Sequence, residues 1–292
     1  MLRRFKSWSQ GRFFGPTLLL ISSLLFVVSY SSTKYLTPFL SIQELMFLRF
    51  FLAPFVLFPL IYTKVLTFKV VSWPSIFIRT FVGMLSMVFY FFALKHGDPG
   101  RTSLIFQTSI IWVYVFDGFF YGEYPSFQTK LMIPVALFGL WCVIQPHGMF
   151  GVHLADLLAL IASLFNAGVY IVVNHLRKSH NSVSIVAANQ TLSSVIILGI
   201  CFWTLPVGYF PSLTPFQTEI AILLAITGTV GNFFMTAGFK YTSATVGSNM
   251  TLTIVPVMYI FGAIFFGESL NVLSWFGVGV VMSSLLVISK YQ

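Results

Sequence analysis

Ten apolar runs, each long enough to cross a bilayer as a helix, constrain this chain more than any other feature. They fall at residues 16–36, 44–63, 73–94, 101–121, 129–146, 154–174, 183–205, 219–239, 244–266 and 270–289. A membrane-spanning helix needs about 20 mostly apolar residues. The runs are continuous and not alternating, which excludes a membrane β-barrel. Short turn-forming pieces such as His96-Gly97-Asp98-Pro99-Gly100 and Tyr124-Pro125-Ser126 separate them, as expected where helices end. The pattern predicts an all-α polytopic membrane protein with ten transmembrane helices. Ten spans consume roughly 200 residues. The remainder leaves no room for an attached ATPase or kinase domain.

Composition agrees with that reading. Only 8% of the residues are charged and 57% are hydrophobic, whereas a soluble domain carries about 25% charged residues. A soluble enzyme, a disordered chain and a disulfide scaffold are excluded. The formal net charge is +9, from 16 Lys and Arg against 7 Asp and Glu. No basic stripe exists outside the short loops, so the excess points to cytoplasmic loops and lipid headgroups, not nucleic acid. The N-terminal Arg3-Arg4-Phe5-Lys6 precedes a permanent first span, since no small-residue cleavage site follows it.

Orientation follows from the placement of Lys and Arg. With the N-terminus inside, the inner side holds Arg3, Arg4, Lys6, Arg12, Lys64, Lys69, Lys130, Arg177, Lys178, Lys240 and Lys290. The outer side holds Glu44, Asp98, Asp156, Glu219 and Glu268, with Lys95 and Arg101. Both termini are expected in the cytoplasm.

An internal repeat divides the chain. An offset of 145 without gaps pairs Lys95 with Lys240, Ser103 with Ser248, Thr108 with Thr253, Tyr114 with Tyr259 and Gly122-Glu123 with Gly267-Glu268. A looser match at offset 140 pairs Ser23-Leu24 with Ser163-Leu164 and Tyr30 with Tyr170. With so few charges in the chain, aligned lysines and aligned Gly-Glu pairs are not expected by chance. The expected domains are residues 1–148 and 149–292, each a five-helix repeat. Five is odd, so the second repeat enters the membrane from the opposite side. Two inverted five-helix repeats are the arrangement of many secondary transporters.

Polar groups inside the spans are the candidate substrate site. Lys34, Arg49, Arg79 and Asp117 are the ionisable ones. Snorkelling to the interface explains Lys34, Arg79 and Asp117, and the last two could pair with each other. Arg49 lies deeper and needs a counter-charge, a carbonyl cluster or an anionic ligand; Glu44 is its nearest acid in sequence. The uncharged candidates are Gln107, Asn166, Asn189, Gln190, Asn232 and Asn249, with the aromatic Tyr30, Tyr90, Trp112 and Tyr170. Interhelical hydrogen bonds account for some amides, but their number favours a polar cavity at the repeat interface. Gly83, Gly168, Gly228, Gly231, Pro134 and Pro256 mark close helix contacts or kinks. Gly277 and Gly279 in span ten suit either a homodimer face or packing on span five. Cys142 and Cys201 read as small buried hydrophobes. Neither a metal nor another cofactor is expected. Walker, HExxH, G-x-S-x-G and ion-filter motifs are missing, so a channel or a membrane enzyme stands only as the alternative class.

The chain resembles the EamA type of the drug/metabolite transporter superfamily over nearly its whole length. The resemblance rests on ten spans in two repeats, on Lys34-Tyr35-Leu36, on Phe47 to Phe51 with Arg49, and on the Gly-Glu pairs at Glu123 and Glu268. It departs where Asn189 aligns with Arg49, which puts a paired arginine in doubt. The resemblance implies a non-enzymatic carrier for a small-molecule substrate, working by alternating access around a central cavity lined by spans one to four and six to nine. The stretch Ser22 to Phe51 is similar to the S-adenosylmethionine uptake carriers of intracellular bacteria; other members look like exporters of amino acids and related metabolites. For an adenosyl sulfonium ligand, Tyr30, Tyr90, Trp112 and Tyr170 would cover adenine or the cation. Arg49 or Lys34 would meet the carboxylate, and Asn166, Asn189, Gln190 and Asn249 would read amino and ribose groups. The expected setting is a bacterial inner membrane.

Overall fold

Helices start where capping residues and prolines stand. Ser41 and Glu44 form a reciprocal box, with Glu44 Oε2 accepting the Ser41 N–H at 2.7 Å and Ser41 Oγ accepting the Glu44 N–H at 3.3 Å. Thr214 and Gln217 repeat the arrangement at 2.9 and 3.3 Å. Such boxes satisfy backbone donors that the helix leaves open. Pro74, Pro99 and Pro215 occupy first-turn positions, where a missing N–H costs nothing.

The computed structural model describes residues 14–62, 72–121, 127–144, 153–204, 212–242, 244–267 and 272–290, and these are all-α. The helices are α1 (Phe14–Leu36), α2 (Ile42–Tyr62), α3 (Trp73–His96), α4 (Pro99–Gln107), α5 (Ser109–Tyr121), α6 (Phe127–Ile144), α7 (Leu154–Arg177), α8 (Ser182–Thr204), α9 (Pro215–Gly238), α10 (Ala244–Met250), α11 (Ile254–Phe266) and α12 (Val272–Lys290). Five of them, α1, α3, α7, α8 and α9, are long and apolar enough to cross a membrane on length and hydropathy alone. Large apolar side chains such as Phe81, Phe119, Phe202 and Ile264 point outward, as a lipid-facing surface requires.

Two of the expected spans are broken. Span four is α4 plus α5, interrupted at Thr108, and span nine is α10 plus α11, joined by a 3-10 turn at Thr251–Thr253. Thr108 and Thr253 are related by the offset of 145. Each donates its hydroxyl to the carbonyl three residues earlier: Thr108 to Ile105 at 2.6 Å and Thr253 to Met250 at 3.0 Å. Those bonds hold the tight turn that stops the regular ladder.

The pairing of helices follows the repeat. Span one packs on span eight (α1 on α9) and span three on span six (α3 on α7). Span two packs on seven, four on nine, and five on ten. Exchanging each span with the one five places away leaves this set unchanged. Spans five and ten lie together at the edge of the bundle, where a Cβ on Gly139 would come within 2.9 Å of the Gly277 carbonyl. Gly277 is thus occupied by packing on span five. Gly279 faces outward with nothing within 4 Å of an added Cβ. The aligned Gly122-Glu123 pair and Glu268 lie outside the described residues.

Candidate functional site

A cavity at the centre of the bundle is lined from spans one, two, three, four, six, seven, eight and nine. Its volume is about 40 Å³, room for a few waters at most. Of the twelve residues expected to bind substrate, six line it: Tyr30, Arg49, Asn166, Tyr170, Asn189 and Asn232.

Arg49 enters from α2, seven residues past its first residue, or about 10 Å along the axis. It is only 4% exposed. Its Nη1 donates to Ser29 Oγ at 2.5 Å, and its Cζ lies 5.8 Å from the Phe26 ring centre and 5.9 Å from that of Tyr30. These are cation–π distances. Glu44 does not reach it, being engaged in the helix cap. Among the described residues, none that lines the cavity is acidic. Among the described residues the ion pair is Arg101 with Asp156, at 2.5 Å, and it lies outside the cavity lining.

Arg79 corrects the sequence expectation of a snorkelling side chain. It is 5% exposed and lines the same cavity. Its Nη1 donates to Asn189 Oδ1 at 3.4 Å and its Nη2 to Asn232 Oδ1 at 3.3 Å. Thr80 Oγ1 also donates to Asn189 Oδ1, at 3.1 Å. Arg79 Nε is buried with no hydrogen-bond partner. The side chain of Asp117, its suggested partner, lies outside the described residues.

The two arginines answer the puzzle of the missing pair. Gly83 and Gly228 are related by the offset of 145. A Cβ on Gly228 would collide with Arg49 Nη1, and one on Gly83 would meet Arg79 Nη1 at 2.5 Å. Each guanidinium therefore lies over one of two equivalent glycines. Arg49 reaches its glycine across the bundle from span two. In the other half span seven offers the shorter Asn189, and Arg79 of span three folds over its own Gly83 to meet it. The second cation comes from a helix the alignment does not indicate. A guanidinium with a glycine one turn later, at a position matched by glycine in the other repeat, was the available signal.

The other expected site residues with described side chains do not line the cavity and bond elsewhere in the bundle. Lys34 Nζ donates to the carbonyls of Leu94 at 2.8 Å and Gly97 at 2.7 Å, fastening the end of α1 to the end of α3. Tyr90 bonds Ser103 at 2.7 Å and stacks on Phe106 with ring centres 4.1 Å apart, behind the cavity wall. Trp112 Nε1 donates to Ser163 Oγ at 3.1 Å. Gln107 Nε2 donates to the Thr251 carbonyl, joining the two broken spans. Gln190 Nε2 reaches Thr229 Oγ1 at 3.5 Å. The side chain of Asn249 lies outside the described residues. The amides that do line the cavity also have partners: Asn166 Nδ2 donates to Ser109 Oγ at 3.1 Å. Tyr170 shares a bond of 3.2 Å with Thr251 Oγ1 at the second break.

The model of the EamA-like transporter family matches residues 13–145 and again residues 153–290. The chain belongs to the EamA-like transporter family. It is accordingly a polytopic membrane protein with a transport function. Relatives include the pseudopaline exporter CntI of Pseudomonas aeruginosa, 20% identical over 80% of this chain and 80% of that protein. A transporter of Helicobacter pylori is 20% identical over 94% of both chains, and one of Archaeoglobus fulgidus 21% identical over 72% of this chain and 76% of the other. A solved crystal structure superposes with a TM-score of 0.69 over 95% of this chain and 97% of that one, at 15% identity. That likeness concerns the fold alone. For an EamA-family transporter, a central cavity lined by eight spans, with two buried guanidiniums that pair with no acid among the described residues, is suited to holding an anionic group away from water.

Proposed function

We propose that this protein is a secondary carrier of the bacterial inner membrane that moves a small organic solute bearing a carboxylate, with Arg49 as the anion anchor. One observation carries the reading: a guanidinium buried to 4% exposure lines the central cavity, and its partners among the described residues are a hydroxyl and two aromatic rings. A buried cation without an acid is costly, and a bound carboxylate relieves that cost through charge-assisted bonds.

Both substrates weighed from the sequence, S-adenosylmethionine and amino acids, carry such a carboxylate. They differ at the cation. Among the described residues the cavity lining contains no acid to face a sulfonium, and the rings of Phe26 and Tyr30 already have Arg49 at cation–π distance. We therefore place amino acids and related carboxylates ahead of S-adenosylmethionine. A cavity of about 40 Å³ admits neither until the lining helices separate. Alternating access between two inverted repeats, residues 1–148 and 149–292, is the motion that supplies this, and the symmetric pairing of spans supports it.

The test is uptake of radiolabelled amino acids and S-adenosylmethionine into proteoliposomes, each competed by its own carboxamide. Saturable uptake that the carboxamide fails to compete, and that Arg49→Gln lowers by about ten-fold or more, is the expected result. Undiminished uptake by folded Arg49→Gln would remove the anchor.

A further inference from the structure

Two buried guanidiniums in one cavity ask for more negative charge than one carboxylate brings. Arg49 Nη1 lies over Gly228, and Arg79 Nη2 bonds Asn232 at 3.3 Å. Residues 228 and 232 are one turn apart on the same face of α9, a rise of about 6 Å. The backbones approach from opposite ends of the bundle. Thr204 Oγ1 donates to Gln43 Oε1 at 3.2 Å, so the last turn of α8 lies beside the first turn of α2, which bears Arg49. Asn189, near the other end of α8, bonds Arg79. The two head groups thus meet near the middle of α9 from opposite ends of the bundle, and the described residues that line the cavity include no acid.

The Arg79 head group is not saturated by its described partners. Arg79 Nε is fully buried without a partner, and its two other bonds are long, at 3.3 and 3.4 Å. A guanidinium has five donors in a planar fork suited to a carboxylate. We infer that the substrate is a dianion: an organic acid with two carboxylates a few ångströms apart, one on Arg49 and one on Arg79, with Asn189 and Asn232 turning toward the second when Arg79 leaves them. This rests on the carrier reading above and narrows its substrate class.

The experiment compares pairs that differ only in the second carboxylate: glutamate with glutamine, aspartate with asparagine, and succinate with succinamate. Uptake of each is measured in proteoliposomes containing the full-length protein, Arg79→Gln or Arg79→Lys. In the unaltered protein the diacid of at least one pair should exceed its half-amide by about ten- to hundred-fold in kcat/KM. Arg79→Gln should bring that ratio near unity by lowering the diacid alone, and Arg79→Lys should restore part of it. Half-amide uptake equal to the diacid in the unaltered protein, or an equal loss of both in Arg79→Gln, would overturn the dianion assignment while leaving a monocarboxylate carrier standing. Should neither member of any pair, nor any other carboxylate, be transported or bound by the folded protein, the carrier reading itself would fall, and this assignment with it.

Discussion

A methyl group added at residue 228 would collide with Arg49 Nη1 and stand 3.1 Å from Ser29 Oγ. The arginine tip can swing away, so the expected loss is in function more than in folding. Gly228→Ala should cut carboxylate uptake by about ten-fold or more, while unfolding free energy falls by about 1–3 kcal/mol, the range for modest overpacking. Gly279→Ala, which meets nothing within 4 Å, should change neither quantity; thermal unfolding in detergent and uptake in liposomes check both. Lys34 gives the opposite pairing of effects. Replacing it with Met removes two charge-assisted bonds to carbonyls and should cost about 1.5–3 kcal/mol of stability, with KM for the substrate unchanged. A raised KM would return Lys34 to the site. Arg49, Asn166, Tyr170 and Asn189 were legible as cavity residues, because depth in an apolar run and polar type suffice to single them out. Arg79 was not. Its position near the start of α3 reads as snorkelling, and only the facing Asn189 and Asn232, distant in sequence, hold it inward.

At the scale of the element, hydropathy reads residues 101–121 and 244–266 as continuous, yet each is two helices. Periodicity sees the apolar run and not the backbone bonds within it. Threonine hydroxyls also bond back to carbonyls in unbroken helices, so Thr108 and Thr253 carried no unambiguous signal, although the offset of 145 had paired them. In the structure the breaks are joined from both sides. Ser163 Oγ accepts from Thr108 Oγ1 at 3.2 Å and from Trp112 Nε1 at 3.1 Å. Ser23, its counterpart at offset 140, donates to Met250 at 3.5 Å. Thr108→Val should therefore cost more than Thr253→Val. The first substitution removes a hydroxyl whose one proton is shared between the Ile105 carbonyl and Ser163 Oγ, and the second a hydroxyl bonded to the Met250 carbonyl, at about 0.5–1.5 kcal/mol for a full bond. Equal unfolding shifts in the two variants would mean that Ser163 adds nothing at the first break.

For the whole molecule, the two ends of the bundle differ in charge, and that asymmetry governs insertion. The end of α1 is tied to Gly97 through Lys34, and nearby Arg101 of α4 pairs with Asp156 of α7. One end thus gathers Glu44, Asp98 and Asp156 with the exposed Lys95, and its other basic groups Lys34 and Arg101 are engaged there. The opposite end carries Arg177 and Lys178 at the close of α7 and Lys240 after α9. Cytoplasmic loops keep the uncompensated Lys and Arg, so the second end should face inward. Phe39, in the turn after α1, and Ser179, in the turn after α7, are exposed at opposite ends. In a protein freed of Cys142 and Cys201, Phe39→Cys should react with a membrane-impermeant maleimide in intact cells, and Ser179→Cys only after permeabilisation. The reverse pattern would invert the orientation and, with it, the order in which a solute meets the arginines: Arg49, nearer the Gly97 end, is expected to be first from outside, and Arg79 first from the cytoplasm.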